Sequence, residues 1–97
     1  MKTVNFNGTM CAVTLAKYPN SRTAILLVDM SDGSPYCKAT VNVPDADLAP
    51  DEVFIKDYSE NKGVYDALLN AGVISPSIDR IPVGYCTTMK CKLLIKE

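Results

Sequence analysis

Histidine and tryptophan are absent from this chain, as are glycine-rich loops, closely spaced cysteine pairs and long apolar runs. Each absence removes a class of function. Without histidine the commonest general base is missing, and no local signature marks a cysteine or serine nucleophile with a lysine base in its place. A lone Gly63 or Gly84 makes no phosphate cradle, so no nucleotide loop is expected. No run approaches the ~18–20 apolar residues of a membrane span; Ala24 to Val28 is only a strand's length. Met1-Lys2 is followed by polar Thr3, Asn5 and Asn7, which is not a secretory signal. The expected location is the cytoplasm, with no membrane partner.

What is present describes one α+β domain over residues 1–97. Apolar residues make up 47% of the chain and charged residues 22%, ordinary globular usage. Ninety-seven residues suffice to bury roughly 60–70% of the unfolded surface around a single core. Four cysteines, Cys11, Cys37, Cys86 and Cys91, lack the close pairs on tight turns that zinc sites use. Cys11 and Cys37 lie in apolar strand-like runs, where a reduced thiol packs as a small hydrophobe. No metal and no cofactor is expected.

Turn chemistry and periodicity place the elements. Thr3 to Phe6 reads as a strand, and Asn7-Gly8 as a hairpin turn, both residues tolerating positive φ. Thr9 to Tyr18 supplies the return strand, ended by Pro19-Asn20-Ser21. The contiguous apolar run within Thr23 to Asp29 predicts a central strand covered on both faces. Asp32-Gly33 turns the chain again. Tyr36 to Val43 then alternates, with Cys37, Ala39, Val41 and Val43 on one face, as a half-buried antiparallel strand does. Pro44 and Pro50 bound a loop, and Val53 to Ile55 is extended. Val64, Ala67, Leu68 and Ala71 have the i, i+3, i+4, i+7 spacing of a helix, with Ser59 or Asn61 available as N-cap and Gly72 as C′. Arg80 to Cys86 and Met89 to Ile95 read as a final hairpin. A single short helix covers only one side, so the expected architecture is one curved, mainly antiparallel sheet, or a half-open barrel, of six to seven strands with that helix packed on it.

Charge is nearly balanced at −1 overall, which announces no direct nucleic-acid partner. Its distribution is uneven. Asp45, Asp47, Asp51, Glu52, Asp57, Glu60 and Asp66 face only Lys56 and Lys62 within residues 45–66. From Arg80 onward Lys90, Lys92 and Lys96 reverse the balance, which makes the molecule electrically two-sided unless strands folding back on one another mix these charges. An acidic region carrying Tyr58 and Asn61 suits docking on a basic protein groove, since an aromatic anchor inside a charge-complementary rim gives affinity and steering. The candidate protein-binding residues are Asp51, Glu52, Asp57, Tyr58, Glu60 and Asn61: Tyr58, Glu60 and Asn61 as central contacts, Asp51, Glu52 and Asp57 as steering charges. No catalytic residue is assigned.

The stretch Val53-Phe-Ile-Lys-Asp-Tyr-Ser-Glu-Asn-Lys-Gly-Val-Tyr-Asp-Ala-Leu-Leu-Asn-Ala-Gly-Val-Ile resembles a family of small proteins carried by phages, plasmids and integrative elements of gut-type bacteria. In that family an extended "IKDYSEN-G" segment precedes a short helix ending in "AG-(I/V)". The resemblance runs from about Tyr36 through Thr40 to Pro44, and on to Gly84 and the last strand; the N-terminal third matches loosely. It brings no activity, cofactor or catalytic residue. It implies a mobile-element setting in a bacterial host cell, where small proteins without catalytic groups often inhibit host defence stoichiometrically, anti-CRISPR proteins among them. The expected function is therefore inhibition of a defence nuclease by protein binding, the partner being the basic surface of a CRISPR or other defence effector, with the chain a monomer or homodimer. The alternative is a nucleotide-signal-sequestering protein using the uncovered sheet face and the basic tail, and the third reading a small enzyme with a Cys-Lys or carboxylate site, for which Cys86 and Cys91 are the first residues to replace.

Overall fold

The computed structural model describes residues 2–95. Seven strands and one α-helix follow in the order β1 Thr3–Phe6, β2 Thr9–Lys17, β3 Thr23–Asp29, β4 Pro35–Lys38, β5 Glu52–Ile55, α1 Val64–Asn70, β6 Asp79–Val83 and β7 Cys86–Lys92, with one 3-10 turn at Ser59–Asn61 ahead of α1. The fold is α+β, as expected. Its strands form two antiparallel sheets, β1-β2-β3-β4 and β5-β7-β6.

Residues 39–41 join the two sheets. The ladder between β3 and β4 shifts register at Leu27 and Val28, and the chain then leaves β3. The Ala39 N–H still reaches Ile25 O at 2.9 Å, but the Ala39 carbonyl accepts from Lys56 N–H at 2.8 Å and Val41 N–H donates to Phe54 O at 3.1 Å. The expected continuous strand from Tyr36 to Val43 is thus short, because its second half serves a different neighbour. The linked sheets do not close into a barrel.

Turns follow local chemistry. Asn7 (φ 53°) and Gly8 (φ 81°) both take the left-handed conformation that matches a two-residue turn to strand twist. The last hairpin pairs Val83 with Cys86, so its turn is Gly84-Tyr85 and β7 begins three residues before the expected Met89. Edge strand β6 carries Pro82.

The core lies on one side of the four-stranded sheet. Val4, Phe6, Cys11, Ile25, Leu27, Val53, Ile55 and Cys91 meet Val64 and Leu68 of α1 there, all nearly solvent-free; side chains of this kind contribute about 1.5–3 kcal/mol each on burial. Helix α1 ends in a Schellman arrangement: Gly72, at φ 76°, donates to Leu69 O and Val73 to Leu68 O, satisfying carbonyls that would otherwise be orphaned. β3 is central, between β2 and β4. Its second face is covered only at the start, where Ala24 is buried; Leu26 and Val28 stay half-buried outside the core cluster, because the one helix packs on the opposite face.

Candidate functional site

The acidic segment is built around β5. The turn ahead of it is closed by Glu52, whose Oε1 accepts the Ala49 N–H at 2.8 Å while its own N–H donates to Ala49 O at 3.0 Å. Beyond β5, Asp57 Oδ1 accepts the Gly63 N–H at 2.5 Å, closing a loop in which Asn61 N–H bonds Tyr58 O and Lys62 N–H bonds Ser59 O. Gly63 then sits at φ 97° as the N-cap of α1, with no side-chain cap. Neither Ser59 nor Asn61 caps the helix. The 3-10 turn intervenes, and Asp57 satisfies a backbone donor from six residues upstream instead.

Asn61 is turned inward. It is 2% exposed and donates its Nδ2 to Lys38 O at 2.6 Å. Lys56 reaches Glu60 Oε1 at 3.0 Å and lies 5.6 Å from the Tyr58 ring centroid, a cation–π distance. The Glu60 hydrogen bond holds the Lys56 ammonium above its ordinary range; Glu60's own backbone and then Lys56 hold the Glu60 carboxyl below its own.

The six candidate residues therefore divide by role. Asp51 and Glu60 are exposed, Glu52, Asp57 and Tyr58 half-buried, Asn61 buried. Glu52 and Asp57 are engaged with backbone donors, and Asn61 supports the loop rather than presenting an amide outward. They also divide in space: Asp51 and Asp57 flank β5, and six residues of extended chain span about 20 Å. The acids form two groups along a strand, not one cluster.

Arg22 completes the first group, and sequence reasoning did not find it. Its Nη1 donates to Val43 O at 2.7 Å and its Nη2 to Ala46 O at 2.6 Å, fastening the loop that carries Asp45 and Asp47. Nothing local in the sequence signals this, since the partners lie 21 and 24 positions away. Between this loop and the turn after β2 is a cleft of about 340 Å³ lined by Asn20, Arg22, Leu48, Pro50 and Glu52. A second, of about 310 Å³, lies against the sheet junction, lined by Tyr18, Lys38, Thr40, Asn42 and Lys56. Tyr18 Oη and Thr40 Oγ1 are 2.9 Å apart at its floor.

The expected electrical two-sidedness does not survive folding. β7 is the middle strand of its sheet, and its register sets Lys92 opposite Glu52 and Lys90 opposite both Phe54 and Asp79; the Lys90 ammonium lies 6.0 Å from the Phe54 ring centroid. Chain reversal mixes the charges that sequence order separates, and it places these two lysines against acidic strands.

The cysteines are free thiols. Cys11 and Cys91 are fully buried in the core, and burial pushes the Cys37 and Cys91 thiols up to about 11. Cys86 and Cys91 fall on opposite faces of β7 by strand alternation. Among the described residues no group of three or more acids and cysteines is placed to hold a metal ion, and no helix is long and apolar enough to cross a membrane.

No family model, curated protein or solved structure matches this chain.

Proposed function

We propose that the protein acts by stoichiometric protein binding, as a mobile-element inhibitor of a bacterial defence nuclease of the CRISPR type or of another defence effector, seating an acidic surface on a basic protein groove. The observation that carries this reading is the set of acids left over once local capping is counted. Among the described residues, Asp45, Asp47, Asp51 and Asp66 are exposed and make no side-chain hydrogen bond or ion pair. Uncompensated like charges repel one another, and a partner of opposite sign relieves that cost while accelerating encounter. Glu60 adds a fifth exposed carboxylate, already oriented by Lys56. Tyr58, held against Lys56, supplies an aromatic surface beside it. The setting comes from the family resemblance of residues 53–74.

The test is charge reversal where it does not touch the scaffold. Asp51→Lys combined with Glu60→Lys is expected to weaken effector inhibition at least about tenfold, chiefly through a slower and less salt-sensitive association rate. Asp57 is unsuitable for this purpose because it holds Gly63. Undiminished inhibition by a double variant with an unchanged circular dichroism spectrum would remove the acidic surface from the mechanism.

A further inference from the structure

Where residues 39–41 pass from one sheet to the other, the cleft of about 310 Å³ is lined by Tyr18, Lys38, Thr40, Val41, Asn42 and Lys56. Two lysines and no carboxylate line it. Its neutral polar groups have their acceptors occupied from within the protein. Asn20 Oδ1 accepts the Arg22 N–H at 3.2 Å, which turns the Asn20 Nδ2 toward Asn42 Oδ1 at 3.1 Å. The Asn42 amide nitrogen is left over, and it can only donate. The floor of the cleft is arranged alike. Thr40 Oγ1 accepts the Ile25 N–H at 3.2 Å and lies 2.9 Å from Tyr18 Oη. Thr40 is 2% exposed and has no third side-chain partner among the described residues, so a hydroxyl hydrogen turned away from Tyr18 would be buried without an acceptor, which is costly. Thr40 therefore donates to Tyr18, and the half-buried phenol keeps its own O–H for the cleft.

We propose that this cleft binds a small phosphate ligand, an ester or the free ion. Lys38 is the principal cation: it is exposed, its ammonium lies 5.7 Å from the Tyr18 ring centroid, and it makes no ion pair among the described residues. Lys56 adds a second charge that it divides with Glu60, 3.0 Å away. The Lys38 ammonium, the Tyr18 O–H and the Asn42 amide are thus donors without acceptors, the complement of an oxyanion. Phosphate suits this set better than carboxylate does. Lysine meets a phosphate as a point charge, whereas a planar carboxylate is matched by the guanidinium fork, and Arg22 is already committed to the Val43 and Ala46 carbonyls.

Size and surroundings point to a small molecule. The cleft lies at the lower end of the roughly 300–1,000 Å³ range of ligand pockets, and the Tyr18 ring and Val41 give apolar surface for a group that carries the phosphate. The backbone that presents the donors is held before any ligand arrives: the Tyr18 N–H bonds Arg22 O at 2.8 Å and the Val41 N–H bonds Phe54 O at 3.1 Å. Such preorganisation lowers the ordering cost of binding. The exposed acids Asp45, Asp47, Asp51 and Asp66 do not line this cleft, so a phosphate ligand and a basic protein would engage different residues.

Nuclear magnetic resonance titration of the isotopically labelled chain with phenyl phosphate, inorganic phosphate and benzoate, at constant ionic strength, tests this. Phenyl phosphate is expected to saturate below about 10 mM and to move the Asn42 side-chain amide resonances. Tighter binding of phenyl phosphate than of inorganic phosphate identifies the ligand as an ester, and equal binding identifies it as the free ion. Lys38→Gln, at an exposed position, should weaken binding at least about tenfold, and Tyr18→Phe, which keeps the ring, at least about threefold. Lys92→Gln removes the same charge from an exposed position on β7 and should leave the affinity within about twofold, as expected of a screened distant charge. Benzoate binding as tightly as phenyl phosphate, saturation by neither phosphate probe, or equal losses in Lys38→Gln and Lys92→Gln would each overturn the proposal.

Discussion

The Asn61 side chain donates to the Lys38 carbonyl at 2.6 Å, tying the loop ahead of α1 to the segment through which the two sheets are joined. Both ends of this bond matter, because Lys38 directly precedes Ala39, whose N–H pairs with β3 and whose C=O accepts from Lys56 just past the end of β5. Asn61→Ala leaves that carbonyl without its donor and is expected to lower stability by about 1–3 kcal/mol. Urea unfolding checks it, and an unchanged midpoint would show that water replaces the amide at no cost.

Asp57→Ala should be destabilising by about 1–2 kcal/mol, the usual scale for losing a side-chain acceptor at a helix start. Asp57→Asn keeps an oxygen for the Gly63 N–H and should recover most of the loss. Thermal melts of the two variants side by side distinguish a hydrogen-bonding role from a charge role: equal losses would mean that the negative charge at the helix start matters more than the acceptor.

Arg22→Ala removes two charge-assisted hydrogen bonds from the loop that carries Asp45 and Asp47. The expected result is faster proteolytic nicking within residues 43–47 with a modest fall in global stability, about 1–2 kcal/mol. Lysine at this position should only partly restore protection, since an ammonium lacks the planar fork that reaches both carbonyls. Wild-type nicking rates in Arg22→Ala would show that the loop is held by its own turn alone.

Alkaline pH should destabilise the fold in a defined window. Cys37 and Cys91 have thiols raised from an ordinary 9.0 to about 11, so between these values the unfolded chain gives up protons that the folded chain keeps. Stability is full below pH 9 and falls as pH rises toward 11. Denaturant midpoints at a series of pH values give the slope, and Cys91→Ser or Cys91→Ala should flatten it. A thiol reagent at neutral pH should meanwhile label Cys86 in the native protein, react with half-buried Cys37 only slowly because its thiolate is scarce, and reach Cys11 and Cys91 only on unfolding.

Local features were legible in the sequence and long-range ones were not. Asn7-Gly8, the alternation of β1 and β2, the apolar run of β3 and the i, i+4 pair Val64 and Leu68 each carry their structure in a few neighbouring residues, and the α+β architecture follows from them. The division of the Tyr36 to Val43 stretch could not be read this way: alternation records which side a residue faces, not which strand lies beside it. Helix spacing likewise located Val64 to Asn70 but not its cap, because a 3-10 turn looks the same in sequence as a capping loop. At the candidate site, exposure of Asp51 and Glu60 accords with the reading of a charged surface. The inward turn of Asn61 and the clamp made by Arg22 depend on partners more than 20 positions away, and no periodicity encodes those.

Edge strand β6 offers a last consequence. Pro82 has no backbone N–H to donate, and β1 at the other margin is only four residues long. Exposed strand margins are templates for uncontrolled addition of further chains, and both devices blunt them. A sheet that does not close on itself thereby carries, at two of its margins, features that disfavour growth in its own plane.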